Sequence, residues 1–129
     1  MNSSSIFYIV LALFVVWMLY RMFAPVKGLV QLKDEPFRKK LEQSSRKRLI
    51  DVREAHEFKS GHLPGAVNIP LSQFGSRSTE IMKGEGDIFL YCQSGMRSKQ
   101  AAKILLKSGV PEVYNLMGGI SSWTGKRVR

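Results

Sequence analysis

Apolar residues are distributed unevenly along the chain, and the longest apolar run comes first. Residues 6–20 are fifteen consecutive positions without a charge, a proline or a glycine. Arg21 interrupts the run, which then continues to Pro25, so that residues 6–24 make nineteen positions. A helix of this length spans about 28 Å at 1.5 Å per residue, close to the hydrocarbon core of a bilayer. We therefore expect residues 1–25 to form one transmembrane anchor.

Two other interpretations of this run are a cleaved signal peptide and a buried core helix. A signal peptide has a basic N-terminal region and a small-residue cleavage site, and residues 1–25 contain neither. A core helix needs a second long apolar helix to cover it, and the remaining sequence has none. Basic residues follow the run and none precedes it. The positive-inside rule then predicts a single-pass membrane protein with the N-terminus outside and the following domain in the cytoplasm.

Residues 26–129 alternate between short apolar runs and amphipathic stretches and are expected to form one domain. The apolar runs predict strands at residues 49–52, 66–69, 87–91 and 113–116. Helices are expected within residues 33–43, with Asp34 as the cap, and at residues 55–60, 76–82, 98–108 and 119–124. Strands that alternate with helices form parallel sheets, so we expect an α/β fold: a small parallel β-sheet with helices on both faces.

The distribution of charge adds a candidate partner to this organisation. The formal net charge is +10, and residues 21–48 hold nine basic and three acidic side chains. This segment lacks interleaved aromatic residues and any nucleic-acid-binding motif, so we expect no nucleic acid partner. Because it directly follows the apolar run, anionic lipid headgroups are its expected contact, and a plain solvated surface is the alternative.

Cys92 is the single cysteine, so no disulfide can form within the chain. It follows the strand predicted at residues 87–91, and in a parallel sheet ligands bind at the carboxyl ends of strands. Six residues, Cys92 to Arg97, precede a helix expected to begin near Ser98, whose free N–H groups favour an anion. Gly95 allows a tight curl of the loop, and the charge of Arg97 favours the thiolate. These features predict a reactive cysteine that meets anions; a buried structural cysteine is the alternative.

Four motifs in the same order make residues 26–124 resemble a rhodanese-like domain. They are Asp51-Val52-Arg53-Glu54 with Glu57-Phe58, then Gly61 to Pro70, Cys92 to Ser98 with Ala101-Ala102, and Gly118 to Trp123. The resemblance implies a single-domain sulfurtransferase in which the Cys92 thiolate takes sulfane sulfur from a small anionic donor such as thiosulfate. The persulfide then passes its sulfur to a thiol, to another nucleophile or to a sulfur-acceptor protein. It implies no cofactor and no metal.

The resemblance also implies roles for individual residues. Cys92 is the catalytic nucleophile, and the substrate-binding cradle consists of Gln93, Ser94, Gly95, Met96, Arg97 and Ser98. Arg97 is the cation that attracts the donor. We interpret Asp51 and Arg53 as a hydrogen-bonded pair that braces the loops. His62 lies in a Gly/Pro turn without an acid–base partner, and we interpret it as structural support.

Three alternative functions are open from the sequence. Phosphatases and arsenate reductases of this fold use a loop one residue longer, and the six-residue loop here favours sulfur over phosphate. A membrane-bound protein-interaction module would have no need of Cys92. A persulfide or redox sensor would keep a stable modification on Cys92 with little turnover.

Overall fold

The chain begins with helix α1, Ser3–Phe23, in a computed structural model that describes residues 1–129. The side chain of Asn2 caps this helix by accepting a hydrogen bond from the Ser5 N–H at 2.9 Å. None of its residues is buried, so α1 does not serve as a core helix. By length and composition it is able to cross a membrane, a property that signal sequences share.

The rest of the chain forms a five-stranded sheet with helices around it. The strands are β1 Leu29–Leu32, β2 Lys47–Asp51, β3 Val67–Asn68, β4 Asp87–Tyr91 and β5 Val113–Leu116. The helices are α2 Asp34–Gln43, α3 Ala55–Ser60, α4 Leu71–Lys83 and α5 Met96–Lys107, followed by a 3-10 turn, Gly119–Ser122. The strand order is β1-β5-β4-β2-β3, and every pairing is parallel. The predicted α/β class is confirmed.

A hydrophobic core lies on each face of the sheet. The central strand β4 contributes side chains to both cores. Its side chains alternate between the faces, so that Leu90 packs in the core under α4 and α5 while Tyr91 enters the other core. On that second face the Phe37 ring of α2 meets the Phe89 ring edge-on, with centroids 5.4 Å apart. Trp123 packs against Phe37 from the other side. Helices on both faces were expected, and this arrangement is confirmed.

Strands β2 and β3 are shifted or shortened relative to the predicted residues 49–52 and 66–69, and the helix predicted at residues 119–124 is a 3-10 turn. Three larger differences have a clear physical reason. The sequence pattern does not predict β1, an edge strand defined by its pairing with β5 at the far end of the chain. Helix α4 begins at Leu71 rather than at residue 76, because burial of Phe74 and Ile81 outweighs the low helix propensity of its serines and glycine. Helix α5 begins at Met96 rather than near Ser98, because Gly95 already occupies the N-cap position.

The predicted cap of α2 is wrong. Lys33 occupies the N-cap position without a side-chain hydrogen bond, and Asp34 is the first helical residue. The Asp34 carboxylate instead accepts hydrogen bonds from Thr124 Oγ1 at 2.6 Å and from Arg38 at 3.0 Å. The acidic side chain therefore ties the first turn of α2 to the segment that follows the 3-10 turn.

Asp51 and Arg53 form a buried ion pair where β2 ends. Their side chains are 0% and 4% exposed. The Arg53 guanidinium donates from Nε at 3.1 Å and from Nη2 at 2.7 Å to the carboxylate, and its Nη2 also donates to Gly61 O at 2.7 Å. Burial of both charges is tolerated because each is paired and hydrogen-bonded. The pair thus fixes the β2–α3 connection against the turn at Gly61.

Asp51→Ala is expected to lower the free energy of unfolding by about 3–5 kcal/mol, because it leaves a buried guanidinium without its carboxylate. The matched control is Glu80→Ala, which breaks an exposed ion pair with Arg77 on α4 and should cost about 1 kcal/mol or less. Urea unfolding of the full chain in detergent, followed by Trp123 fluorescence in a Trp17→Phe background, measures both losses. Equal losses in the two variants would contradict a bracing role for the buried pair.

Candidate active site

Cys92 is the first residue after β4, at the carboxyl edge of the sheet. The connection after β5 holds its loop through two backbone hydrogen bonds. Ile120 N–H donates to Cys92 O at 2.9 Å, and Ser121 N–H donates to Gln93 O at 3.2 Å. The Cys92 side chain is 1% exposed and belongs to the core under α4 and α5. The thiol therefore lies at the base of a rigid loop rather than on a mobile surface.

Two donors approach the sulfur of Cys92. Gly95 N–H donates to Sγ at 3.0 Å, and Ser98 Oγ donates to Sγ at 3.4 Å. The same hydroxyl lies 3.2 Å from Gly95 O, and since it has one proton it serves one acceptor at a time. An ionised sulfur attracts this proton more strongly than a neutral carbonyl does. Both contacts therefore favour a negatively charged sulfur.

Five further backbone N–H groups of the loop have no acceptor within the protein. They belong to Gln93, Ser94, Met96, Arg97 and Ser98. The last three residues form the first turn of α5, where N–H groups lack partners inside the helix and the helix dipole is positive. The structure thus brings all six residues of the predicted cradle together in one loop and helix turn beside Cys92, as one set of N–H donors. Such a set is suited to an anion.

Two glycines are needed for the close approach of these backbone segments. Gly95 has φ +100°, in the left-handed region, and a Cβ there would lie 3.3 Å from backbone atoms of the β5 connection. Gly119 has φ +62°, and a Cβ there would overlap the carbonyl oxygens of Cys92 and Gln93. The sequence pattern does not by itself assign Gly119 to the site. The Gly-Gly pair at residues 118–119 was the available signal.

Arg97 is paired with Glu57 and is not an unpaired cation. Its Nη1 and Nη2 donate to the two carboxylate oxygens of Glu57 at 2.7 and 2.8 Å. The hydrogen bonds from Arg97 outweigh partial burial and lower the pKa of Glu57 to about 2, while the same pairing raises the pKa of Arg97. Because α5 begins two residues earlier than predicted, Arg97 lies in its first turn and faces α3. The ion pair therefore joins α3 to the cradle.

The positive charge beside the loop that no acidic side chain pairs comes from Arg127, and Arg129 lies on the same segment. Together with Gln93 and Arg53 they line a cavity of about 410 Å³ that no acidic residue lines. Arg127 donates to the backbone oxygen of Ile120 at 2.8 Å, and neither Arg127 nor Arg129 forms an ion pair. The sequence pattern does not assign either residue to the site. Their only signal was the basic cluster at the end of the sequence.

His62 lies in structural contacts. Its Nδ1 lies 2.9 Å from Phe58 O, its ring stacks on the Phe58 ring with centroids 3.7 Å apart, and its backbone exchanges two 2.8 Å hydrogen bonds with Val128. These contacts hold the strand-like segment at Val128 against α3 and fit the interpretation of His62 as support. Nearby, the Tyr91 hydroxyl accepts a hydrogen bond from Leu63 N–H at 3.1 Å, and burial raises the pKa of Tyr91.

This arrangement is suited to nucleophilic chemistry of a thiolate on a small anion. Cys92 is the candidate nucleophile, hydrogen-bond donors lie around its sulfur, and the neighbouring cavity is lined by arginines. No group of three or more His, Cys, Asp or Glu side chains is placed to hold a metal ion. Cys92 supplies a thiol, and the backbone N–H groups of the loop with Ser98 Oγ supply hydrogen-bond donors.

Comparisons with known proteins identify a family that matches most of this chain. The rhodanese-like domain family matches residues 34–126. YqhL from Bacillus subtilis (strain 168), described as uncharacterized, is 41% identical over 124 residues, which cover 96% of this chain and 95% of that protein. A protein named sulfurtransferase from Allochromatium vinosum is 40% identical over 75 residues, 58% of this chain and 69% of that protein.

Among solved structures, the crystal structure of a rhodanese-like domain protein from Staphylococcus aureus is similar with a TM-score of 0.66. The two sequences are 25% identical, and the match covers 75% of this chain and 93% of the other. The family match, residues 34–126, contains four of the five strands, β2 to β5, and the Cys92 loop. The chain therefore belongs to the rhodanese-like domain family.

Proposed function

We propose that this chain is a sulfurtransferase that carries sulfane sulfur on Cys92 and is held at a membrane by α1. The observation that carries the proposal is the position of Sγ, 3.0 Å from Gly95 N–H and 3.4 Å from Ser98 Oγ. Donors at these positions stabilise a thiolate and also a persulfide anion. Family membership and the sulfurtransferase named among the relatives support sulfur transfer as the reaction class.

In the first half-reaction the Cys92 thiolate attacks the outer sulfur of a small anionic donor such as thiosulfate. A bond forms between Sγ and that sulfur, the S–S bond of the donor breaks, and sulfite leaves with its electron pair. The N–H groups of Gln93, Ser94 and Met96 then face the negative charge of the terminal sulfur. The uncompensated charge of Arg127 in the adjacent cavity attracts the anionic donor.

In the second half-reaction an acceptor thiolate attacks the terminal sulfur of the persulfide. A new S–S bond forms on the acceptor, the bond to Sγ breaks, and Cys92 leaves as a thiolate that accepts the Gly95 and Ser98 hydrogen bonds again. Because the Cys92 side chain is 1% exposed, the added sulfur is the atom that an acceptor reaches. A small thiol or a cysteine on a sulfur-acceptor protein fits this requirement.

The length and exposure of α1 support the anchoring part of the proposal. The basic residues lie on the C-terminal side of α1, as the positive-inside rule requires for a cytoplasmic domain. Sulfur transfer would then occur on the cytoplasmic side of a membrane. A persulfide sensor and a protein-interaction module are the alternative functions, and the behaviour of Cys92 separates them.

Cys92→Ser is expected to abolish sulfur loading. Intact-mass measurement of the full chain in detergent, after incubation with thiosulfate or polysulfide, should detect a gain of one sulfur atom that an added thiol removes. The variant should show no gain, because a hydroxyl does not form a persulfide. Absence of any gain in the natural chain would favour the interaction module, and a gain that no thiol removes would favour a sensor.

Ser98→Ala is expected to slow persulfide formation about tenfold or more, since a hydrogen bond to a charged group contributes about 1.5–3 kcal/mol. Ser108→Ala is the matched control at the other end of α5, where the hydroxyl donates to Ile104 O at 2.9 Å. Stopped-flow measurement of the initial loading rate compares the two variants. Equal slowing in both would mean that the effect arises from helix stability rather than from the contact with Sγ.

The proposed topology predicts that the domain is protected from protease in right-side-out vesicles and becomes accessible after the membrane is permeabilised. The physical reason is the cluster of basic residues after α1, which resists translocation. Immunoblotting of a C-terminal tag follows the domain in both conditions. Digestion of the domain in intact vesicles would contradict the cytoplasmic orientation.

A further inference from the structure

A cationic cavity lies at the junction of α1 and α5, away from the Cys92 loop. It has a volume of about 430 Å³ and is lined by four cations and by apolar side chains that include Val26 and Leu106. The cations are Arg21, Lys27, Lys103 and Lys107. No acidic residue lines the cavity, and none of the four cations forms an ion pair. Four uncompensated positive charges around one cavity favour an anionic ligand.

This cavity does not coincide with the basic segment recognised in the sequence. The fold disperses residues 21–48, since Lys39 lies on α2 across the sheet from α5 and Arg46 pairs with Glu85. Only Arg21 and Lys27 of that segment reach the cavity. The other two cations come from α5, so the charge cluster is created by tertiary structure. A solvated basic linker does not account for it.

The position of the cavity indicates where its anion comes from. Arg21 lies in the last turn of α1, with its guanidinium 5.5 Å from the centre of the Trp17 ring, and such pairs are typical of a membrane–water interface. Lys99 Nζ on α5 donates to Met22 O at 2.9 Å, so a cation satisfies a carbonyl left unpaired at the end of α1. With α1 across a bilayer, the cavity lies at the level of the lipid phosphates.

We propose that this cavity binds the phosphate headgroup of an anionic phospholipid. The inference rests on the anchoring part of the proposed function and is independent of sulfur transfer. The cations Arg21 and Lys27 approach the phosphate from the end of α1, and Lys103 and Lys107 approach it from α5. Val26 and Leu106 provide apolar contacts for the apolar part of the lipid that adjoins its headgroup. A bound lipid therefore clamps α5 to the end of the anchor.

The test uses the full chain in nanodiscs that contain equal amounts of phosphatidylglycerol and phosphatidylcholine with matched acyl chains. Native mass spectrometry counts the lipids that the protein retains on release. Preferential retention of phosphatidylglycerol is expected, and Lys103→Glu with Lys107→Glu should lower that preference on the order of tenfold or more, because each juxtamembrane cation contributes to anionic lipid binding. The neutral pair Lys103→Gln with Lys107→Gln should give a smaller decrease.

The matched control is Lys39→Glu with Lys126→Glu, which changes the net charge equally at two exposed lysines outside the cavity and should retain the natural preference. Circular dichroism of each variant verifies folding without reference to sulfur chemistry. Equal retention by the natural chain and the Lys103/Lys107 variant, or an equal loss in both charge-reversed variants, would overturn the proposal.

Two further outcomes identify other sources of the anion. Binding of inorganic phosphate in nanodiscs of phosphatidylcholine alone, with the same dependence on Lys103 and Lys107, would assign the cavity to a free oxyanion and overturn the lipid site. Recovery of the chain without any bilayer would overturn both the anchor and the lipid site. In that case the persulfide measurement on Cys92 would still decide the sulfurtransferase proposal separately.

Discussion

The left-handed conformation of Gly95 is the constraint on which the site depends. It ends the loop after β4 within four residues and starts α5 directly beside Cys92. A residue with a Cβ would be strained at φ +100° and would press on the β5 connection. Without this turn, Sγ would lose its Gly95 N–H donor, and the first turn of α5 would not contribute its unpaired N–H groups. The set of N–H donors beside Cys92 is thus a backbone property that depends on one glycine.

Charged side chains around this backbone cradle fall into two groups with different roles. Arg53 and Arg97 are held by Asp51 and Glu57 and act as braces between loops, whereas Arg127 has only backbone partners. The pKa of Glu57 is held at about 2, below its ordinary value. Its stabilising contribution is therefore complete above about pH 5 and is lost as the pH falls towards about 2. The brace at Arg97 stays intact at neutral pH, so that under the proposed function Arg127 is the cation available to attract the donor.

The features that the sequence could predict are those determined by local pattern. A buried apolar run at residues 87–91, followed by Cys92, a glycine and a helical pattern, is enough to place the nucleophile at a strand end. The pairing of Arg97 with Glu57 and the cavity beside Arg127 were not predictable, because each joins segments far apart in the chain. Strand β1 was not predicted for the same reason, because its pairing partner β5 lies far away in the sequence. Local periodicity carries no information about which distant segments meet.

Helix α5 physically connects the candidate active site with the cavity proposed to bind a lipid headgroup. Its first turn lies in the Cys92 cradle, and Lys99, Lys103 and Lys107 follow at intervals of four residues, which places them along one face of the helix. That face meets the end of α1 through the Lys99 hydrogen bond and the cationic cavity. A helix of 12 residues is about 18 Å long and stiff on this scale. In the proposed arrangement the cradle is therefore held at a fixed distance from the bilayer.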